Sequence, residues 1–200
     1  MNAIIETLTK ESGPDRRQVI LATALGLFTE RGYFNTSVHD IQRQAGVSIG
    51  SIYHHFKNKE AIAKALFDGM VEEMTRKMEE IGTAYATAYD RCRAVISYLF
   101  DLTEKYPEAM QYVLYAKHRE FMPNEKPMCS SRPFEMMKQM VVDGIERGEI
   151  RRMEPIVAAT SLFGGALRLI YLRLDGVLAE PLPVYLDEAW ECAWRAVSAW

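Results

Sequence analysis

The 200-residue chain is poor in several features that would narrow its chemistry. It has three cysteines, Cys92, Cys129 and Cys192, and none stands at a C-x-x-C or Cys/His ligand spacing. An odd number of widely separated thiols suggests neither a disulfide framework nor a zinc site, so idle, buried thiols are expected. No apolar run reaches 18 residues, and no membrane span is expected. Met1 to Pro14 carries Glu6, Lys10 and Glu11 around a short apolar stretch. That is neither the basic start nor the apolar middle of a secretory signal, and the expected location is the cytoplasm. A large charge of one sign is missing too: the net charge is −3, which excludes a uniformly basic coat. Period-2 alternation, internal repeats and low-complexity stretches are also lacking, which argues against sheets and solenoids.

What is present is helix, with 48% hydrophobic residues to bury and an ordinary 26% charged. Arg16 to Arg31 repeats apolar residues at three- and four-residue spacing and ends at Gly32, a natural C′ residue. Ser37 to Ala45 opens with the capping-box pair Ser37 and Asp40 and closes at Gly46. Ser48 caps a third short helix through about Phe56, and Asn58 caps a long fourth over Lys59 to Gly82. Tyr89 to Lys105 is a fifth. Pro107 starts a sixth, which ends before Pro123. The stretch Pro123 to Pro133 reads as a loop, Phe134 to Arg147 as a seventh helix, Pro155 to Asp175 as an eighth and Val184 to Ala199 as a ninth. The expected architecture is therefore all-α with about nine helices. The boundary between an N-terminal domain (1–69) and a second domain (70–200) is expected inside the fourth helix, near Met70.

Charge divides along the same line. Asp15 to Glu60 carries six Lys/Arg against four acids, whereas Ala61 to Trp200 carries 17 against 21. The segment Ser37 to Phe56, SVHDIQRQAGVSIGSIYHHF, places two short helices around a glycine turn, the outline of a helix-turn-helix. Val38, Ile41, Ala45, Val47, Ile52 and Phe56 form one apolar face that packs against Leu27 and Phe28. Ser48, Gly50, Ser51, Tyr53 and His54 remain outward on the third helix. Small polar side chains let such a helix descend into the major groove of DNA, with Tyr53, Lys57 and Lys59 where phosphates pass. Ile49 reads equally as core or as a contact to a thymine methyl. His54 and His55 are not a metal pair, because adjacent helical residues point about 100° apart.

The run FTERGYFNTSVHDIQRQAGVSIGSIYHHFKNKEAI, Phe28 to Ile62, resembles the DNA-binding domain of the tetracycline-repressor (TetR/AcrR) family, with Gly50 to Glu60 its most specific part. The resemblance covers about the first third of the chain. It implies that Thr36 and Ser37 touch phosphate and that His39 and Arg43 approach DNA from the second helix. It further implies that Ser48, Ile49, Gly50 and Ser51 lie near bases, that Tyr53 and His54 meet the backbone, and that Lys59 binds a phosphate. A long basic side chain is commoner in the family where His39 stands.

Residues 70–200 contain no nucleophile motif and no glycine-rich phosphate loop, and neither an enzyme activity nor a cofactor or metal is expected. The Gly164-Gly165 pair reads as a site of close helix approach. A stripe of methionine and aromatic side chains runs along helices five to eight; it is core by composition. The resemblance adds an apolar effector pocket, with Leu99, Tyr115, His118, Met137, Val141, Phe163, Arg168 and Tyr171 as candidate lining, and Tyr115, His118 and Arg168 as its polar anchors. Helices eight and nine are apolar over more than one face, which calls for a partner. A homodimer through Phe163, Leu167, Ile170, Leu174, Trp190, Trp194 and Val197 is the expectation that the resemblance supports. The overall expectation is a ligand-responsive transcriptional regulator, a repressor as is commonest in that family, binding double-stranded operator DNA. An all-helical enzyme or a scaffold bundle with an appended DNA-binding domain is the alternative.

Overall fold

The computed structural model describes residues 15–116, 118–123 and 130–199. The N-terminal arm, Cys129, most of the Pro123–Pro133 loop and Trp200 lie outside them. The described residues are helical: α1 (Arg16–Arg31), α2 (Val38–Ala45), α3 (Ile49–His55), α4 (Lys59–Ala84), α5 (Ala88–Lys105), α6 (Pro107–Tyr115), α7 (His118–Phe121), α8 (Arg132–Glu146), α9 (Pro155–Leu174) and α10 (Leu186–Val197). A 3₁₀ turn, Leu182–Tyr185, leads into α10, and an isolated bridge pairs Ile150 with Ser198.

Helix starts and stops follow local chemistry. The Asp15 carboxylate accepts from the Arg17 amide, and Gly32 ends α1 at φ 84°. Ser37 and Asp40 form the expected capping box. Ser48 accepts from the Ser51 amide and Asn58 from the Ala61 amide. Thr87 and Asp90 repeat the capping geometry at the start of α5. Among the described residues, the sixth helix departs from its pattern: it breaks after Tyr115 and resumes as the single turn α7. A continuous helix would set Tyr112 and His118, six residues apart, about 120° from each other. The break lets both rings enter one core, edge to face with centroids 4.9 Å apart.

The chain forms two compact units, Met1–Glu73 with Glu108–Met128 and Met74–Pro107 with Cys129–Trp200. In the first, Ile20, Leu27, Ile41, Ile52 and Ile62 are fully buried, and Phe28, Tyr33, Tyr112 and Phe121 stack among them. In the second, α5, α8, α9 and α10 pack on one another over Val95, Ile96, Phe100, Val141, Leu162, Ile170 and Trp190. A fork holds this unit together: Arg173 donates to both oxygens of Glu104 at 2.9 and 3.0 Å, and the Leu182 amide donates to the same carboxylate. These hydrogen bonds from Arg173 hold Glu104 below its usual carboxylate range.

Candidate nucleic-acid interface

The helix pair α2–α3 is built as its sequence predicts. Gly46 turns between the helices in the left-handed region, at φ 65° and ψ 28°, a conformation that costs glycine little. The Gln42 side-chain amide donates to the Val47 carbonyl across the turn. Ile41, Ile52 and Phe56 are buried beneath, while Val38, Ala45 and Val47 are half-buried at the rim. Arg17 of α1 lies over the Phe56 ring.

On the opposite face of α3, Gly50, Tyr53 and His54 are exposed, Tyr53 by 54%. A Cβ added at Gly50 would meet only the Ser48 hydroxyl, at 3.9 Å. Ser48 is exposed and Ile49 and Ser51 are half-buried. His39 and Arg43 are exposed on α2, and Lys57 is exposed just beyond α3. The structure thus gathers these residues onto the surface of one helix pair.

One of the expected phosphate contacts, Thr36, is corrected, and a second, Lys59, is engaged within the protein. Thr36 is 1% exposed, and its hydroxyl donates to the carbonyls of Leu27 and Gly32. No side-chain atom is left for a phosphate; the residue ties the α1–α2 turn to α1. Lys59 also points inward. Its ammonium donates to the carbonyl oxygens of Tyr33 and Thr36, both at 2.8 Å, and lies 4.1 Å from the centroid of the Tyr33 ring. Partial burial lowers its pKa, against the neighbouring Glu60 charge, which raises it. Ser37 is exposed, but its hydroxyl is shared with Asp40 at 2.5 Å. Those hydrogen bonds, and then Arg43 at 2.8 Å, keep the Asp40 carboxyl below its usual range. A carboxylate stands here beside the expected phosphate path, and its Arg43 partner offsets it.

The candidate effector residues fall in both units. Leu99, Met137, Val141 and Phe163 are buried within the second unit. Tyr171 is half-buried there and Arg168 is exposed. Tyr115 is 43% exposed and His118 is buried, both in the first unit. The polar anchors Tyr115 and Arg168 are corrected accordingly: α6 and α9 turn them to the surface. His118 is ringed by Phe67, Tyr112 and Phe121. Burial pushes its imidazole down to about 4. A cleft of about 510 Å³ does lie in the second unit, between the end of α4 and α5. Its walls are charged (Lys77, Glu80, Asp90, Arg93, Asp101) and include none of the eight candidates.

Four of the candidate dimer residues are corrected as well. Phe163, Ile170, Trp190 and Val197 are buried within the single chain, and only Leu167, Leu174 and Trp194 are half-open. Trp190 and Trp194 stack at 5.4 Å and both meet Tyr89 edge-on. The apolar surface that α9 does leave open begins at Ile156 and Val157, 62% and 50% exposed. α9 is long and apolar enough, by length and composition alone, to cross a membrane, yet only 28% of its most apolar window is buried. Among the described residues, Gly164 and Gly165 make no close approach: a Cβ at Gly165 would meet nothing within 4 Å, and one at Gly164 only the Thr160 Cγ2 of the same helix, at 3.9 Å.

A family model described as bacterial regulatory proteins, tetR family, matches residues 20–66. The chain is 40% identical over 93 residues to the fatty acid metabolism regulator protein of Bacillus subtilis, across 46% of this chain and 47% of that one. That match therefore spans about half the relative's length. Identity to the HTH-type transcriptional repressor KstR2 of Mycobacterium tuberculosis is 27% over 141 residues, across 68% and 70% of the two chains. The crystal structure of the transcriptional regulator FadR from Bacillus subtilis in complex with stearoyl-CoA matches with a TM-score of 0.75 at 26% identity, covering 88% of this chain and 96% of that one.

Proposed function

Because the chain belongs, through residues 20–66, to the tetR family of bacterial regulatory proteins, we propose that it is a ligand-responsive transcriptional regulator, a repressor, that binds operator DNA as a homodimer in the cytoplasm. The observation that carries this reading is α3: a short, capped helix with Gly50, Tyr53 and His54 exposed over a buried Ile52. Ser48, Ile49, Gly50 and Ser51 face bases in this reading. His39 and Arg43 approach from α2, and Tyr53, His54 and Lys57 meet the phosphates. Residues 1–69 are the DNA-binding part, and residues 70–200 bind the effector and the second subunit.

The open apolar face of α9 supports the dimer, with Leu167, Leu174 and Trp194 beside it and Gly164-Gly165 admitting a partner helix closely. The methionine and aromatic core of the second unit, including Met137, Met140 and Phe163, supports a lipophilic effector that makes room among deformable side chains. The relative solved with stearoyl-CoA points to acyl compounds as the first class to try.

The test is selection of duplexes from a random-sequence pool by the full-length protein, followed by gel shift of the enriched sequence. A two-fold-symmetric enriched sequence, with half-sites about one helical turn apart or a multiple of it, is expected. Failure to enrich any duplex overturns the reading. Acyl compounds that raise the melting temperature should then shift operator affinity by ~1–3 kcal/mol; tight binders that leave it unchanged are not effectors.

A further inference from the structure

Lys59 is the first residue of α4, and its ammonium reaches back to the turn that joins α1 to α2. Its two carbonyl partners have distinct places in that turn. Tyr33 follows the end of α1, and Thr36 immediately precedes Ser37, the N-cap of α2. Phe121 of α7 stacks on the Tyr33 ring at 4.0 Å with an interplanar angle of 14°, which leaves the ammonium the opposite face. The turn is also held from α1, by the Thr36 hydroxyl on Leu27 and Gly32 and by the Asn35 amide on the Arg31 carbonyl. Three elements thus fix the six residues on which α2 begins, and Lys59 ties them to α4 through two ammonium–carbonyl hydrogen bonds, stronger than neutral ones, and a cation–π contact.

We infer that Lys59 is a positioning residue for the DNA-reading head: by clamping the Tyr33 and Thr36 carbonyls it sets the angle at which α2 starts, and with it the placement of Ser37, His39 and Arg43. This role rests on the DNA-binding reading proposed above. It differs in kind from a phosphate contact. A lysine on phosphate releases a counterion, so its loss weakens binding to all sequences and lowers the salt slope by about one. A lysine that fixes register acts on the specific complex, where side chains must meet chosen atoms. Nonspecific binding, spread over many charges, does not depend on that register.

The experiment uses the full chain and two probes: a duplex enriched by the wild-type protein, and a shuffled duplex of the same length and composition. Affinities are measured between 50 and 200 mM salt for wild type, Lys59→Met and Lys59→Arg. Lys59→Met keeps the aliphatic stem and removes the donors. It should lower the ratio of specific to shuffled affinity about tenfold while changing the salt slope by less than half a unit, and Lys59→Arg should recover part of the ratio. A slope lower by about one with an unchanged ratio would overturn the inference in favour of a phosphate contact. A lower melting temperature with both ratio and slope intact would overturn it in favour of a purely structural brace. Acetylation of wild-type lysines, read by mass spectrometry, covers the case in which Lys59→Met does not fold. Lys59 should react more slowly than exposed Lys57 in the free protein, with no further protection on adding the enriched duplex. Fast reaction that DNA then suppresses would sink the clamp. If no duplex is enriched, the DNA-reading role falls with its premise, and the labelling of the free protein still reports whether the clamp exists.

Discussion

Gly50 and His118 show how much a single position can carry. At Gly50, on the exposed side of α3, a side chain has room inside the protein, the nearest atom being the Ser48 hydroxyl at 3.9 Å. Gly50→Leu should therefore leave the melting temperature unchanged or raise it, since glycine is the poorer helix former by about 1 kcal/mol. The same side chain would stand between the helix and the floor of a groove. We expect affinity for the enriched duplex to fall at least tenfold, roughly 1.4 kcal/mol. An unchanged affinity would remove α3 from the groove. His118 is the opposite case, a titratable group inside. Its imidazole is pushed from 6.5 to about 4 by burial, and its Nε2 finds no hydrogen-bond partner among the described residues. The unfolded chain takes up the proton near pH 6.5 and the folded chain only near 4. The folded state is thus fully stable above 6.5 with respect to this group and loses stability as pH falls through that window. The loss is on the order of 3 kcal/mol at its limit. The difference in unfolding free energy between His118→Phe and wild type, followed from pH 7.5 to 4, should shift in favour of the variant by that order. Parallel curves would mean that the imidazole is charged or solvated in the folded protein.

At the scale of elements, α8 and the start of α5 meet through a glycine. A Cβ on Gly144 would lie 2.6 Å from the Ala88 Cβ and 2.9 Å from the Ile150 Cδ1. The Ile150 side chain can turn aside, but a Cβ is fixed to its backbone, so the helices themselves must part. Ala88 is also the first residue of α5, and its amide donates to the Glu149 carboxylate at 2.6 Å. Parting the helices strains that capping bond too. Gly144→Ala should cost about 1–3 kcal/mol, the usual range for overpacking, in spite of alanine's better helix propensity. Denaturant unfolding measures this directly, and a variant as stable as wild type would show that α5 and α8 can separate freely. Helix ends of this kind follow from local residues, but the pairing of helix faces does not. Gly144 lies in the last turn of α8 without the positive φ that would call for glycine, and the tightest contact that excludes a side chain there comes from Ala88, 56 positions earlier.

For the molecule as a whole, the open face of α9 decides the oligomer. Val157 is half-exposed on its first turn, so Val157→Glu places a charge in water in a lone protomer and in an apolar interface in the proposed dimer. Removing such a charge from water without a partner costs several kcal/mol. We expect Val157→Glu to sediment as a folded monomer and to lose affinity for a two-half-site duplex far more than for a single half-site. Wild-type-like dimers would move the interface off this end of α9. Phe163, Ile170, Trp190 and Val197 are unsuited to the same experiment, because each is buried within the single chain and its replacement would unfold the protomer first.

Much of this protein was determined by local sequence. The capping pairs Ser37–Asp40 and Ser48–Ser51, the glycines at 32 and 46, Asn58 and Pro155 mark helix ends through atoms within four residues of one another, so reading them requires no knowledge of the fold. The buried face of Ile41, Ile52 and Phe56 and the open face of Gly50, Tyr53 and His54 follow from the 3.6-residue period for the same reason. Tertiary structure alone decided the rest. It broke the sixth helix so that Tyr112 and His118 could share a core, and it gathered residues 108–123 with 15–73. It turned Tyr115 and Arg168 to the surface and spent the apolar excess of Phe163, Ile170, Trp190 and Val197 inside one chain. It also turned the ammonium of Lys59 onto carbonyls 23 and 26 positions earlier. Periodicity tells which side of a helix is apolar, but an apolar side chain buries itself equally well against its own chain or another. A lysine satisfies its donors on a carbonyl or a phosphate alike. Which partner wins depends on distances between segments remote in sequence, and those exist only once the chain has folded.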